Sequence, residues 1–244
     1  MVNIINIYNE NCLDRLQKIK DETVDLIIID PPYAVGFSKG FDDSKKHVEE
    51  QLPLWVNELY RVLKNNCHCY VFIPVKEAGI FINEFSKKFV LNNILATRTY
   101  TQNLYLKNNF SFNNQLILYL SKGTAKRLNQ VDYVKTSQSW LKDKRNKNPH
   151  EYTYQYPAFF PETIFSNQKT TSKNNKNSNR HPCEKSVSFE EILIKLSSNE
   201  NDTVLDCFMG CGTTGIACKN TNRHFIGIEL NEEYFNTAKE RLEL

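Results

Sequence analysis

A chain of 244 residues with 40% apolar content is long enough to bury one α/β core with a modest appended region. A net charge of +3 names no partner by itself, and seven cysteines, an odd number without a C-x-x-C pair, argue against a disulfide scaffold and for a reducing, cytoplasmic setting. With no signal peptide and no long apolar run, neither secretion nor a membrane span is expected.

In chain order, Ile4 to Tyr8 reads as a strand, Leu13 to Ile19 as a short helix, and Val24 to Ile29 as a second strand. Its three consecutive isoleucines suit a parallel strand covered on both faces. That strand runs into Asp30-Pro31-Pro32-Tyr33. Pro31 and Pro32 lack backbone N–H groups and stiffen the chain, leaving a surface richer in acceptors than donors. An exocyclic amino group suits it. The Asp30 carboxylate would take one hydrogen and the Pro31 carbonyl the other, drawing the nitrogen lone pair out of ring conjugation, while Tyr33 offers a π-face to the base. The same four residues also suit a strand entering a stiff turn, an ordinary use of Asp-Pro-Pro.

Leu52, Trp55, Val56, Leu59, Val62 and Leu63 recur at helical spacing despite Pro53, which is expected near the start of that helix. Cys69 to Ile73 follows as a strand, Ile80 to Phe89 as a helix, and Ile94 to Tyr100 pairs with Gln115 to Leu120 as adjacent strands closing the sheet. Cys67-His68-Cys69 alternates along its strand, so His68 faces away from both thiols and no metal site is expected. Between Lys122 and Arg180 twelve Lys/Arg stand against four Asp/Glu, interleaved with Tyr133, Trp140, Tyr152, Tyr154, Tyr156, Phe159 and Phe160. Such a stretch suits phosphate contacts and base stacking, or a solvated loop region with aromatics tucked onto the core. Asn167 to Arg180 holds no apolar side chain and is expected to order only on nucleic acid.

The C-terminal third resumes with a helix marked by Phe189, Ile192, Leu193 and Leu196, then a strand from Thr203 to Asp206. Gly210, Gly212 and Gly215 satisfy G-x-G-x-x-G between that strand and a helix over Thr213 to Lys219. The following strand ends at Glu229, 23 residues beyond Asp206 and placed to take two ribose hydroxyls. A nucleoside-cofactor site is therefore expected, a bare tight turn being the alternative. Only fifteen residues follow Glu229, room for one amphipathic helix through Tyr234, Ala238 and Leu242. The sheet must then be completed by N-terminal strands, which brings Asp30 to the edge that carries Gly210. A cofactor bearing a transferable group beside an amine clamp points to S-adenosylmethionine.

With these residues in place, the chain resembles the amino-methyltransferases of the DNA adenine-N6 type, in the permuted beta arrangement where the catalytic motif precedes the cofactor loop. Asn11-Cys12-Leu13 stands where the family has Asp-Cys-Leu. His181-Pro182-Cys183-Glu184-Lys185-Ser186 is similar to its His-Pro-x-x-Lys-Pro, and Asp206 to Thr214 to its Asp-Pro-Phe-Met-Gly-Ser-Gly-Thr-Thr. Asn11 in place of an acid still accepts from an adenine amino group but also donates, and Cys207 and Ser186 each replace a proline.

The resemblance implies a circularly permuted, Rossmann-like methyltransferase fold with a small inserted target-recognition region. Residues 1–121 form the catalytic half, 122–180 the recognition region and 181–244 the cofactor half. It implies Asp30, Pro31, Pro32 and Tyr33 as the catalytic residues. The cofactor set is Asn11 and Cys12 at the adenine, Asp30, Lys185 near the methionine carboxylate, Asp206 ordering the loop or meeting the methionine amine, Phe208, Gly210, Gly212, Thr213, and Glu229 at the ribose. The expected partner is double-stranded DNA, with the target adenine flipped out over Tyr33 and a ring such as Tyr105 or Phe110 lining its pocket. A homodimer and a cognate restriction endonuclease are partners the resemblance allows, and the recognition sequence stays open. Cytosine-N4 and RNA adenine methylation are the nearest alternatives; the family tends to have serine before the two prolines in cytosine enzymes, so Asp30 favours adenine. A nicotinamide-dependent oxidoreductase would leave Asp30 unexplained, and a non-catalytic nucleic-acid binder would be indifferent to it.

Overall fold

The computed structural model describes residues 3–34, 42–98, 114–129 and 185–244. Tyr105 and Phe110, the aromatic and polar run up to Arg180, and His181 to Glu184 lie outside them. Among the described residues, the chain begins with strand β1 (Ile5–Asn9), helix α1 (Cys12–Leu16) and strand β2 (Val24–Ile29). Next come α2 (Lys45–Val62), β3 (Leu63–Ile73), α3 (Ala78–Phe85), and the strands β4 (Val90–Arg98) and β5 (Asn114–Ser121). The C-terminal third supplies α4 (Val187–Ser197), β6 (Thr203–Asp206), α5 (Thr213–Asn220), β7 (His224–Glu229) and α6 (Glu232–Leu242).

The strands form one sheet in the order β1-β7-β6-β2-β3-β5-β4. Its first five members run parallel, and β5 is antiparallel to both β3 and β4. The N- and C-terminal thirds thus interleave: β1 closes on β7 with Asn9 opposite Glu229, and β2 seats against β6 with Ile27 opposite Leu205. The order of the chain is permuted relative to the order of the sheet. This is the mixed α/β, Rossmann-like architecture that the resemblance implies.

Every residue of β2 is buried, including Asp25, because β6 and β3 flank it and helices cover both faces. Asp25 carries a charge into that position only with partners: Lys64 Nζ donates to it at 2.7 Å and the Thr203 backbone N–H at 3.0 Å. Helix α2 begins earlier than the apolar stripe suggests, capped by Ser44 Oγ on the His47 N–H. Pro53 therefore lies inside the helix, not near its start. An interior proline forfeits a backbone bond at a cost of about 3 kcal/mol. Burial of Val48, Leu52, Trp55, Val56, Leu59 and Val62 along one face offsets that cost.

All six cysteines within the described residues are buried, in keeping with a packing role. No cluster of His, Cys, Asp and Glu among the described residues has the form of a metal site, and no helix there is long and apolar enough to cross a membrane. Two lysines of the basic run are spent on the fold. Lys122 is 6% exposed with Nζ bonded to Leu63 O and Glu22, and Lys126 Nζ reaches Cys67 Sγ. Asn129 then ties this segment to α4 through the Lys195 and Ser198 carbonyls.

Candidate active site

Parallel strands present their carboxyl ends on one edge, and at a change of strand order the loops there part to leave a crevice. In this chain the ends of β2, β6 and β7 open into a cavity of about 600 Å³, within the usual range for a small-molecule site. Of the residues expected in the site, Asn11, Cys12, Asp30, Pro31, Pro32, Tyr33, Lys185, Asp206, Phe208, Gly210, Thr213 and Glu229 line it. Gly212 stands behind the wall: it is the left-handed N-cap of α5, with φ +80°, and a Cβ there would meet Ala238 at 3.0 Å.

The glycine loop is shaped by two carboxylates. Glu229 receives the Gly210 N–H at 2.9 Å and the Asn231 N–H at 2.7 Å, so its head is fixed at the end of β7. Burial raises its pKa against the pull of those N–H donors. Gly210 has φ +51°, and a Cβ on it would meet nothing within 4 Å, so the backbone there is bare toward open space. Asp206 accepts the Phe208 N–H at 3.1 Å and the Thr214 hydroxyl at 2.6 Å, which orders the loop from beneath. Burial pushes its carboxyl up to about 7 in spite of those bonds. Asn11 spends one lone pair on capping α1 through the Leu13 N–H at 2.8 Å.

Asp30 is held from both sides. The Tyr33 hydroxyl donates to Asp30 Oδ1, and Gln115 Nε2 donates in turn to the Tyr33 oxygen. Lys185 Nζ lies 2.5 Å from Asp30 Oδ2 and 4.9 Å from the centre of the Phe72 ring. Two expectations change in emphasis here. Tyr33 engages through its hydroxyl as well as offering a ring, and Lys185 points to Asp30, where proximity to the cofactor's carboxylate was expected. The turn after Tyr33 is pinned by Asp43, 3% exposed, whose Oδ1 takes the N–H of Ala34 at 2.7 Å while Ala34 holds φ +63°.

Sequence reasoning passed over four residues of this site. Gln115 was absorbed into a strand pattern and Trp55 into a helix stripe, where it packs edge-on to Phe208 at 5.0 Å. Asp43 carries no local signal, because its role depends on a turn nine residues away. Glu190 did leave a trace: it occupies the core-facing side of an apolar helix between Phe189 and Ile192, where a solvated carboxylate does not belong.

The comparisons agree with this geometry. A family model described as DNA methylase matches residues 24–240. A type II methyltransferase, M1.MboII of Moraxella bovis, is 31% identical over 98% of this chain and 96% of its own length. The DNA adenine methyltransferase YhdJ of Escherichia coli strain K12 is 29% identical over 98% of this chain and 82% of its own. The crystal structure of the M1.HpyAVI-SAM complex superposes with a TM-score of 0.64 at 26% identity, covering 98% of this chain and all of that one. The Asp-Pro-Pro-Tyr turn and a glycine-loop cavity on one sheet edge, with a family match across most of the chain, lead to one conclusion: this chain belongs to the N6/N4 DNA methylase family.

Proposed function

We propose that this protein transfers the methyl group of S-adenosylmethionine to the N6 amino group of adenine in double-stranded DNA, in the manner of its adenine-methylating relatives. The observation that carries the reading is the placement of Asp30 and Asp206 at neighbouring strand ends, lining one cavity with Glu229. The cavity fits the cofactor chemically: a fixed carboxylate at Glu229 suits a ribose diol, and the bare backbone at Gly210 allows close approach. Aromatic surface from the partly buried Phe208 and the buried Trp55 suits a planar base.

When bound, S-adenosylmethionine supplies an electrophilic methyl group. The chain's own part is to grip and orient the amine. Asp30 takes one hydrogen of the flipped adenine's amino group and the Pro31 carbonyl the other, so the nitrogen lone pair is directed out of the ring. For this the Tyr33 hydroxyl must yield its place on Asp30 Oδ1, which frees the tyrosine ring to meet the base. Lys185 keeps hold of Oδ2 and sets the carboxylate plane. Asp30 is then the nearest acceptor for the proton that the amine sheds. Rate comes from positioning and water exclusion, and no cysteine nucleophile is required.

In this reading residues 1–121 and 181–244 are the two halves of one catalytic domain, and 122–180 is the target-recognition region. It acts in the cytoplasm, with a homodimer and a companion endonuclease as further partners. The test is transfer of labelled methyl from S-adenosylmethionine to unmethylated double-stranded DNA, followed by digestion to nucleosides. N6-methyladenine is the expected product; label on cytosine N4, or on RNA alone, refutes the assignment.

A further inference from the structure

Glu190 is a buried acid with no task in the reaction outlined above. It stands in the first turn of α4, is 2% exposed, and lines the cavity, yet its Oε2 has no hydrogen-bond partner. An unmet acceptor inside a protein costs about 1–3 kcal/mol, so such a group persists only where something else takes the bond. Among the described residues, the charged and titratable groups that bear on it come from four places. Lys185 precedes its own helix, Asp30 comes from β2 and Asp206 from β6, and the Cys218 thiol faces it from α5. Three carboxyls thus meet one cation, and that cation is already paired with Asp30. Among the described residues, no second cation bears on Asp206 and Glu190.

We infer that Glu190, with Asp206, forms the subsite for a primary ammonium group, and that this group is the α-amino end of the cofactor's methionine moiety. The inference rests on the cavity being the S-adenosylmethionine site. Glu190 Oε2 accepts one ammonium hydrogen, Asp206 accepts a second with a remaining lone pair, and the charge they lack arrives with the ligand. Glu190 is here a cofactor-positioning residue; it touches neither the base nor the methyl group.

The protonation of Glu190 agrees with this role. Without a ligand, burial and the neighbouring Asp206 push the Glu190 carboxyl up to about 8, so near neutrality it holds a proton that an incoming ammonium must expel. The resulting proton release is a signature that a purely structural residue does not give.

The experiment is calorimetric titration of wild type, Glu190→Gln and Glu190→Leu in buffers of different ionisation enthalpy. Three probes are used: S-adenosylmethionine, S-adenosylhomocysteine and 5′-methylthioadenosine, which lacks the amino-acid tail. Glu190→Gln should weaken the first two by about tenfold, the loss of one charge-assisted hydrogen bond. It should leave methylthioadenosine unchanged and lower the number of protons released. Glu190→Leu should melt above wild type without ligand while showing a smaller shift with S-adenosylmethionine, so a folding defect is separable from a binding one. Equal weakening of all three probes, unchanged affinity for all three, or unchanged proton release would each overturn the role of Glu190. Failure of wild type to bind S-adenosylmethionine would instead overturn the reading of the cavity.

Discussion

Gly227 sits in the middle of β7, opposite Asp206 of β6 and Ile7 of β1, under the loop that shapes the cofactor cavity. A Cβ there would lie 2.4 Å from Met209 Sδ and 2.5 Å from Phe225 Cε1, far inside the ordinary contact distance of about 3.5–4.0 Å. The phenyl ring is fully buried and packs so closely on Gly215 that a Cβ there would lie 2.9 Å from the same Cε1, which leaves it little room to shift. The thioether must therefore move, and Met209 belongs to the glycine loop, its N–H bonded to Ile228 O at 3.0 Å. Overpacking of this kind costs about 1–3 kcal/mol, or roughly 3–10 °C of melting temperature in a chain of this size. Gly227→Ala should show that drop in a thermal melt. In calorimetry it should also bind S-adenosylmethionine more weakly, because the displaced Met209 carries Phe208 and Gly210 with it. Gly79→Ala is the control: its Cβ meets nothing within 4 Å, and the change should stabilise α3 by up to about 1 kcal/mol. A Gly227→Ala protein that melts within about 1 °C of wild type and keeps its affinity would refute the packing argument.

Asp30→Asn should lower methyl transfer by at least about a hundredfold in single-turnover assays while cofactor binding persists, and a near-normal rate would sink the clamp. Tyr33→Phe removes only the hydroxyl bonds to Asp30 and Gln115 and should cost less than about tenfold, whereas Tyr33→Ala, which also removes the ring, should cost far more in the same assay. Glu229→Ala should abolish measurable S-adenosylmethionine binding; retained affinity would count against the ribose role. The carboxyls of Asp206 and Glu190 are raised from 3.8 to about 7 and from 4.5 to about 8, so the folded protein binds more protons than the unfolded chain between those values. Their contribution to stability is therefore complete below about pH 4 and falls as pH rises to about 8. Melting of the unliganded protein against pH should show this decline, and Glu190→Gln should flatten its upper part.

Much of the architecture was legible because local patterns carry it. Three isoleucines before Asp30 mark a buried parallel strand, and the spacing of Gly210, Gly212 and Gly215 marks a glycine turn between strand and helix. Where an element begins was less legible: the apolar stripe from Leu52 hides the two polar turns that start α2 at Lys45, and so misplaces Pro53. A cap and exposed charges set that boundary, and they leave no hydrophobic period.

By itself, then, the sequence determined the strand-ending acids and the glycine turn, because each depends on residues near one another in the chain. Only the tertiary structure decided what meets Asp30. Gln115, 82 residues beyond Tyr33, and Lys185, 155 residues beyond Asp30, complete that cluster. It likewise placed Glu190 beside Asp206 and turned an odd acid in an apolar helix into a feature of the cavity. Hydrogen bonds and charges act over a few ångströms regardless of sequence separation, so these pairings exist only once the sheet has brought β2, β5, β6 and α4 to one edge.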